Sequence, residues 1–440
     1  MKLTFMGAGS TIFARRVIGD CMGSEVLRDC VFALYDIDAE RLEESRVILE
    51  ATRKSFGDYG KIECYHGVEN RKEALRGANF VVNAIQVGLY DPCTIIDFEV
   101  PKKYGLRQTI GDTVGIGGIM RALRTIPVLE DFARDMEEVC PDAVFFNFTN
   151  PMSMLTGYML RYTGVNTIGL CHSVQGCSGK LLRTLGLYEE YGHGRRELIA
   201  GINHMSWLLE IKDRNGNDLY PEIKRRVDAA IADPECKDKV RLDYIRRFGY
   251  YVTESSEHNA EYNMFYIKSK YPELIDKYNI PLDLYPQRCI NQINSWKEEY
   301  QRLLTEGIRE HIGSGEYAAD IMEALITGSL CQVGGNVLNK GHLITNLPEE
   351  ACVEVPCLIN NRGINPCHVG ALPVQCAAMN MTNINVHLLT IEAAVTKKRE
   401  HIYQAAMLDP HTGSELDIDT IVKMVDDLIE AHGDYLPKYH

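Results

Sequence analysis

The opening stretch of the chain limits its fold more than any other. Lys2 to Met6 alternates and then runs apolar, and it stops at Gly7-Ala8-Gly9-Ser10. A helical pattern follows from Thr11 to about Met22, and Val31 to Tyr35 reads as a second strand ending in Asp36. Strand, glycine turn, helix, strand and acid form the opening of a dinucleotide-binding unit. Gly7 and Gly9 let the backbone approach a pyrophosphate, and the helix start at Ser10 and Thr11 faces its charge. Asp36 accepts from a ribose hydroxyl and repels a 2′-phosphate, which favours NAD over NADP. A third glycine would fall at Ile12, so the motif rests on its surroundings and not on a complete glycine pattern.

The same alternation continues. Asp38 to Phe56 reads as a helix, Lys61 to Tyr65 as a strand, Arg71 to Gly77 as a helix and Phe80 to Asn83 as a strand. Asn83 stands at that strand's carboxyl end and joins the cofactor-binding candidates. Gly111 to Gly118 holds four of its eight residues as glycine and opens a long helix through Cys140. It reads as a mobile connection or, more sharply, a lid over substrate that includes Asp112. Strands Ala143 to Phe146 and Asn166 to Leu170 bring the parallel sheet to about six strands. Beyond residue 195 only Trp207 to Ile211 reads as a strand, and long helical patterns follow, notably Ala377 to Val395 and Asp417 to His432. The expected fold is α/β: a Rossmann-like, doubly wound parallel sheet over 1–195 fused to an α-rich α+β domain over 196–440. That is the architecture of lactate and malate dehydrogenases.

The chemistry concentrates at Cys171-His172-Ser173-Val174, between the strand ending at Leu170 and a helix read over Gln175 to Leu185. Asn147 to Pro151 ends the preceding strand in the same way, and Gly201-Ile202-Asn203-His204 adds a second imidazole. Thiolate, imidazole and amide oxygen together suit a divalent metal, with Cys171 and His204 as the ligands. The plainer readings are a small buried hydrophobe for the cysteine and a hydrogen-bonded polar residue for the histidine. A polar run from Gly249 to Tyr262, dense in tyrosine, histidine and carboxylates, has the character of a site wall. Gly179-Lys180 lacks the rest of a phosphate loop, since Val174 and Leu181 stand where glycine and a hydroxyl belong.

A formal net charge of −14 at pH 7 excludes nucleic acid and anionic membrane as partners, because both need a basic face. Met1-Lys2 followed at once by the glycine turn does not read as a secretion signal, and Ala143 to Leu160 is too polar to span a bilayer. Fourteen cysteines without regular spacing point to reduced thiols and a cytoplasmic protein.

The segments Gly7 to Ser10, Gly117 to Arg121, Asn147 to Pro151, Cys171 to Val174, Gly201 to His204 and Thr253 to Tyr262 resemble glycoside hydrolase family 4, along essentially the whole length. Cys-His-Ser-Val is similar to the form in the family's α-galactosidases, whereas Cys-Asp or Cys-Asn before Pro marks its 6-phosphosugar enzymes. The resemblance implies an exception to two-carboxylate glycosidases: NAD⁺ oxidises sugar carbon 3, a base removes the proton from carbon 2, and Mn²⁺ stabilises the enediolate. The leaving group departs, water adds, and the hydride returns. It further implies Cys171 and His204 as ligands of Mn²⁺ or another divalent metal. Asn150, Asp112 and Asn203 would be substrate contacts, and His172 the acid. Either Tyr262 or Tyr250 would be the base, with Tyr262 preferred. A homodimer or homotetramer acting on terminal α-galactosides of the melibiose and raffinose type is the matching expectation. Three other readings stay open: a 2-hydroxy-acid dehydrogenase, a regulatory protein with a vestigial site, and a relative acting on α-glucosides or α-galacturonides. Cys171, His204 and Asn150 weigh against the first two.

Overall fold

The computed structural model describes residues 1–305 and 314–440. Its strands are β1 (Lys2–Met6), β2 (Val31–Asp36), β3 (Lys61–His66), β4 (Phe80–Asn83), β5 (Val144–Asn147) and β6 (Asn166–Leu170), then β7 (Arg196–Ile202), β8 (Met205–Lys212), β9 (Tyr251–Val252), β10 (Cys331–Leu338), β11 (Cys352–Asn360) and β12 (Gly363–Pro366). All belong to one sheet in the order β3-β2-β1-β4-β5-β6-β10-β11-β7-β8-β9, with β12 on β11. The first six are parallel and the rest run antiparallel to their neighbours. β4 and β5 are buried throughout, which is why their sequences are unbroken apolar runs closed by asparagine. Strand order reverses between β1 and β4, so the crevice that receives ligands in such sheets opens beside the Gly7 turn.

The seam between the two sheet halves is a single row. Gly169 of β6 pairs with Asn336 of β10, Asn336 with Glu354 of β11, and Glu354 with Gly201 of β7. The strand that ends at Cys171 is thereby tied to the hairpin that carries His204. Among the described residues no helix is long and apolar enough to cross a membrane.

The second half departs from expectation in holding six strands where the sequence showed one. β10 hides because glycine interrupts it: a Cβ at Gly335 would lie 2.8 Å from both Cys357 Sγ and Ile168 Cδ1. β11 hides because Glu354 and Pro356 break its apolar run. The long helices of that half do form, as Val374–Thr396 and Ile418–His432.

The glycine-rich stretch before Cys140 is a second correction. The helix begins at Gly115, so three of the four glycines lie in its first turn, and all are buried. A Cβ on Gly117 would sit 2.3 Å from the Gly111 carbonyl oxygen, and one on Gly118 2.6 Å from the Thr113 carbonyl carbon. The glycines permit close backbone packing. The carboxylate of Glu261 also accepts from the backbone N–H of Thr109, Ile110 and Gly111 at 2.9, 3.2 and 2.8 Å. A segment held this way is no mobile lid.

Gly117→Ala is therefore expected to cost about 1–3 kcal/mol through overpacking and to lower the thermal unfolding midpoint. An unchanged midpoint would show that the helix start has room to shift.

Candidate functional site

A cavity of 270 Å³ opens where the ends of β5 and β6, the β7–β8 turn and the segment after β9 meet. Cys171 caps the helix His172–Thr184, which starts three residues earlier than its sequence pattern suggests. Its sulfur lies 3.1 Å from Ser173 Oγ, and its carbonyl accepts from the Tyr317 hydroxyl at 2.5 Å. His172 lines the cavity, and its Nε2 stands 2.5 Å from Glu316 Oε2. The histidine side chain is 54% exposed and that of Glu316 1%, so a buried carboxyl group stands against a cavity-facing imidazole.

His204 sits in the β7–β8 turn with φ +63°, and Glu254 follows β9 with φ +68°. Side chains seldom accept this left-handed backbone, and such outliers gather at functional sites. One ligand atom each from Cys171, His204 and Glu254 lies within 4.8 Å of the others. Burial works to lower the His204 pKa, but Cys171 and Glu254 beside it outweigh that and hold it up at about 10. Burial likewise works to raise Glu254, yet His258 and His204 bring it down to about 2. For His258 burial prevails and its pKa falls; its Nδ1 is 2.9 Å from Ser255 Oγ.

A soft sulfur, an imidazole and a carboxylate make a donor set that divalent first-row metals accept. Two buried polar atoms at the cluster, His204 Nδ1 and the Tyr262 hydroxyl, have no hydrogen-bond partner among the described residues. Orphaned groups at such a cluster fit a missing ion and its ligand shell.

Asn150 and Asp112 share another wall of the cavity, with Asn150 Nδ2 3.5 Å from Asp112 Oδ2. Arg121 backs them, donating Nε to the Asn150 carbonyl at 3.1 Å and Nη1 to the Tyr285 hydroxyl at 3.3 Å. Glu261, whose pKa burial pushes up to about 7, holds the strand of backbone that leads into Asp112.

The glycine turn lies alongside. Gly7 has φ +85° and a Cβ there would meet the Ala84 carbonyl at 2.8 Å, so only glycine fits the cradle. The helix Thr11–Gly23 has no side chain capping its start, leaving amides for an anion. Phe13 of this helix lines the catalytic cavity, so a dinucleotide on the turn and an ion at Cys171 would face one space. Asp36 is engaged by backbone on both sides: its oxygens accept from Gly9 N of the glycine turn at 2.6 Å and from Asp38 N of its own loop at 3.0 Å. Gly9 is buried and Ser10 half-buried at the same turn.

The structure thus gathers Cys171, His172, His204, Asn150 and Asp112 around one cavity and leaves others away from its surface. Tyr250 is a correction: it packs edge-on against Tyr220 at 5.6 Å and does not line the cavity. Asn83 is fully buried and donates its amide nitrogen to Asn147 Oδ1 at 2.9 Å, bracing strand ends, while its Oδ1 has no hydrogen-bond partner among the described residues. Asn203 is sealed beside Glu354 and does not reach the cavity. The Thr11 hydroxyl accepts from Ser45 Oγ at 2.9 Å inside the core, which leaves its backbone amide as its only group for a cofactor. Tyr262 lies next to the cluster, its ring centre 6.4 Å from that of His204, but it too is buried. Sequence reasoning did not single out Glu254, His258, Arg121, Tyr285 or Glu316. For Glu254, His258 and Tyr262 the four-residue spacing was a usable signal; Glu316 comes from a distant segment and carries none.

Two family models cover the chain: "Family 4 glycosyl hydrolase" matches residues 2–187 and "Family 4 glycosyl hydrolase C-terminal domain" matches 199–412. The chain is 57% identical to an α-galactosidase of Bacillus subtilis (strain 168), covering 100% of this chain and 99% of that one. It is 33% identical to an α-galactosidase of Rhizobium meliloti (strain 1021), covering 100% and 89%. Among solved structures, the 6-phospho-β-glucosidase of Thermotoga maritima with manganese, NAD⁺ and glucose-6-phosphate superposes with a TM-score of 0.78 at 21% identity, covering 100% of each chain.

The raised pKa of His204 has a consequence for the ion. Up to about pH 10 the metal-free imidazole holds a proton that a metal must expel. Mn²⁺ affinity should therefore rise with pH, by about tenfold per unit for one displaced proton. Calorimetric titrations at two pH values near neutrality read that slope, and a flat response would remove His204 from the ligand set.

Proposed function

Because the chain belongs to the family 4 glycosyl hydrolases, we propose that it cleaves terminal α-galactosides of the melibiose and raffinose type. It is an α-galactosidase that depends on NAD and Mn²⁺. The reaction is redox-neutral: oxidation at carbon 3, elimination of the leaving group, addition of water and reduction give net hydrolysis. One observation carries the reading. The Cys171–His204–Glu254 cluster and Phe13, from the helix that opens at the glycine turn, line the same cavity.

NAD supplies a reversible hydride acceptor and Mn²⁺ a Lewis-acid charge beside the sugar oxygens. The protein's own part is to hold and to move protons. Cys171, His204 and Glu254 would hold the ion, while Gly7 and Gly9 would let the backbone approach the pyrophosphate and the Thr11 amide at the uncapped helix start would face it. Asn150 and Asp112 bind sugar hydroxyls on a wall that Arg121 fixes. His172 delivers a proton to the leaving oxygen, oriented by Glu316. Tyr262 would remove the carbon 2 proton: its unpartnered hydroxyl beside the cluster supports it over Tyr250, and the charge of a bound ion would have to lower a phenol that burial holds well above its ordinary pKa.

The fourteen unpaired cysteines support a cytoplasmic location. A homodimer or homotetramer is supported by the helix Leu284–Thr305, which has no buried residue and exposes Ile290, Ile293 and Leu304; light scattering reads the subunit count.

Hydrolysis of 4-nitrophenyl α-galactoside is expected to need both NAD⁺ and Mn²⁺ under reducing conditions, to exceed that of the α-glucoside, and to slow with carbon 2-deuterated substrate where proton abstraction limits the rate. Cleavage that survives complete removal of NAD would overturn the mechanism. Glu316→Gln is expected to reduce kcat about 10- to 100-fold on raffinose, whose leaving group needs a proton, and far less on the 4-nitrophenyl substrate. Equal losses on the two would make Glu316 merely structural.

A further inference from the structure

We infer that a second cavity, bordering the segment that follows Glu254, binds the phosphate group of a small molecule. It measures 310 Å³ and is separate from the catalytic cavity. Four cationic side chains line it: Lys180 and Arg183 from the helix that Cys171 caps, and Lys237 and Arg241 at the start of Lys239–Phe248. Two carboxylates also line it, and both are already engaged. Asp238 accepts from Arg241 Nε at 2.6 Å, the Tyr251 hydroxyl at 2.5 Å and Ser256 Oγ at 2.9 Å. Glu257 pairs with Arg288 at 3.0 Å.

Lys180, Arg183 and Lys237 form no salt bridge among the described residues, although the charge of Lys180 also acts on Glu254. Arg183 is pre-oriented, with its guanidinium 4.0 Å from the Tyr188 ring centre. Arg241 is almost fully buried, and its guanidinium lies 4.6 Å from the Tyr251 ring centre. The Thr184 hydroxyl adds a neutral donor on the same wall. In a chain with a net charge of −14, a small cavity with a local surplus of positive charge runs against the field of the whole molecule. Several strong donors around one small volume suit a group with three acceptor oxygens and close to two negative charges. The volume suits a phosphorylated metabolite or free phosphate and not a polymer.

The cavity is connected to the catalytic one through shared elements. Arg241 Nη1 donates to the Glu254 carbonyl, and Ser255, which lines the second cavity, bonds His258 in the first. An anion drawn against Arg241 thus pulls on the backbone that sets Glu254.

Calorimetric titration of the NAD- and Mn²⁺-loaded enzyme with inorganic phosphate at constant ionic strength tests the site, since the dinucleotide cradle is then filled. Binding should persist when galactose is present and weaken about tenfold or more in the K180Q/K237Q double variant, whose positions are exposed. Glycerol 3-phosphate run in parallel separates the sources: tighter binding than inorganic phosphate identifies an organic phosphate as the ligand, and equal binding identifies free phosphate. Displacement by galactose would put the anion in the catalytic cavity and overturn the inference. So would equal affinity in the double variant, or no binding up to about 20 mM.

Discussion

A buried carboxyl group sits where the parallel and antiparallel halves of the sheet meet, and the rest of the site depends on its being satisfied. Glu354 is 1% exposed, accepts from Ser206 Oγ at 2.6 Å and Asn336 Nδ2 at 3.0 Å, and lies opposite Gly201. Burial pushes its pKa up to about 7 against those hydrogen bonds and the charge of His204. An unpaired carboxyl at such a place would be strongly destabilising, so its donors cannot drift. Ser206 and Asn203 flank His204, and Asn336 pairs with Gly169, two residues before Cys171. Satisfying one polar group thereby sets the distance between two ligands that lie 33 residues apart in sequence (204 − 171).

Charge around the cavity is arranged to oppose burial. Cys171, Glu254 and Asp112 surround two imidazoles; the pKa of His204 is held up and that of Glu254 held down by their neighbours, while burial lowers that of His258. The second histidine therefore offers a neutral ring where the first offers a charge. Such divergence of similar groups by environment is how a small site assigns separate roles. Glu261 serves a mechanical purpose, gathering three backbone N–H groups so that Asp112 emerges at a fixed point.

The parallel half is legible in the sequence because its elements are local. Each strand is a short apolar run, each helix has its own period, and the Gly7 turn needs only its neighbours to be read. Cys171, His172, Asn150 and His204 are legible for the same reason, as they stand at strand ends or turns. What stays hidden depends on distant chain. β10 needs glycine at 335 only because Cys357 and Ile168 press on it, and the glycines after 111 look mobile until the helix they pack against is known. Asn83 and Tyr250 differ in the opposite way: the strand end and the polar run are where they should be, but neighbouring side chains take up the Asn83 amide nitrogen and Tyr220 packs on Tyr250.

The unbroken sheet has a dynamic corollary. Enzymes built from two lobes often admit substrate by swinging about a hinge between them. Here the row Gly169–Asn336–Glu354–Gly201 crosses the place where a hinge would lie, and parting it would break strand pairing and uncover the Glu354 carboxyl together. Traffic into the cavity must therefore pass by side-chain and loop motion at its rim, where Arg288 is half exposed on the helix Leu284–Thr305. The rate of opening is then set by a few surface contacts and leaves the spacing of the metal ligands untouched from one turnover to the next.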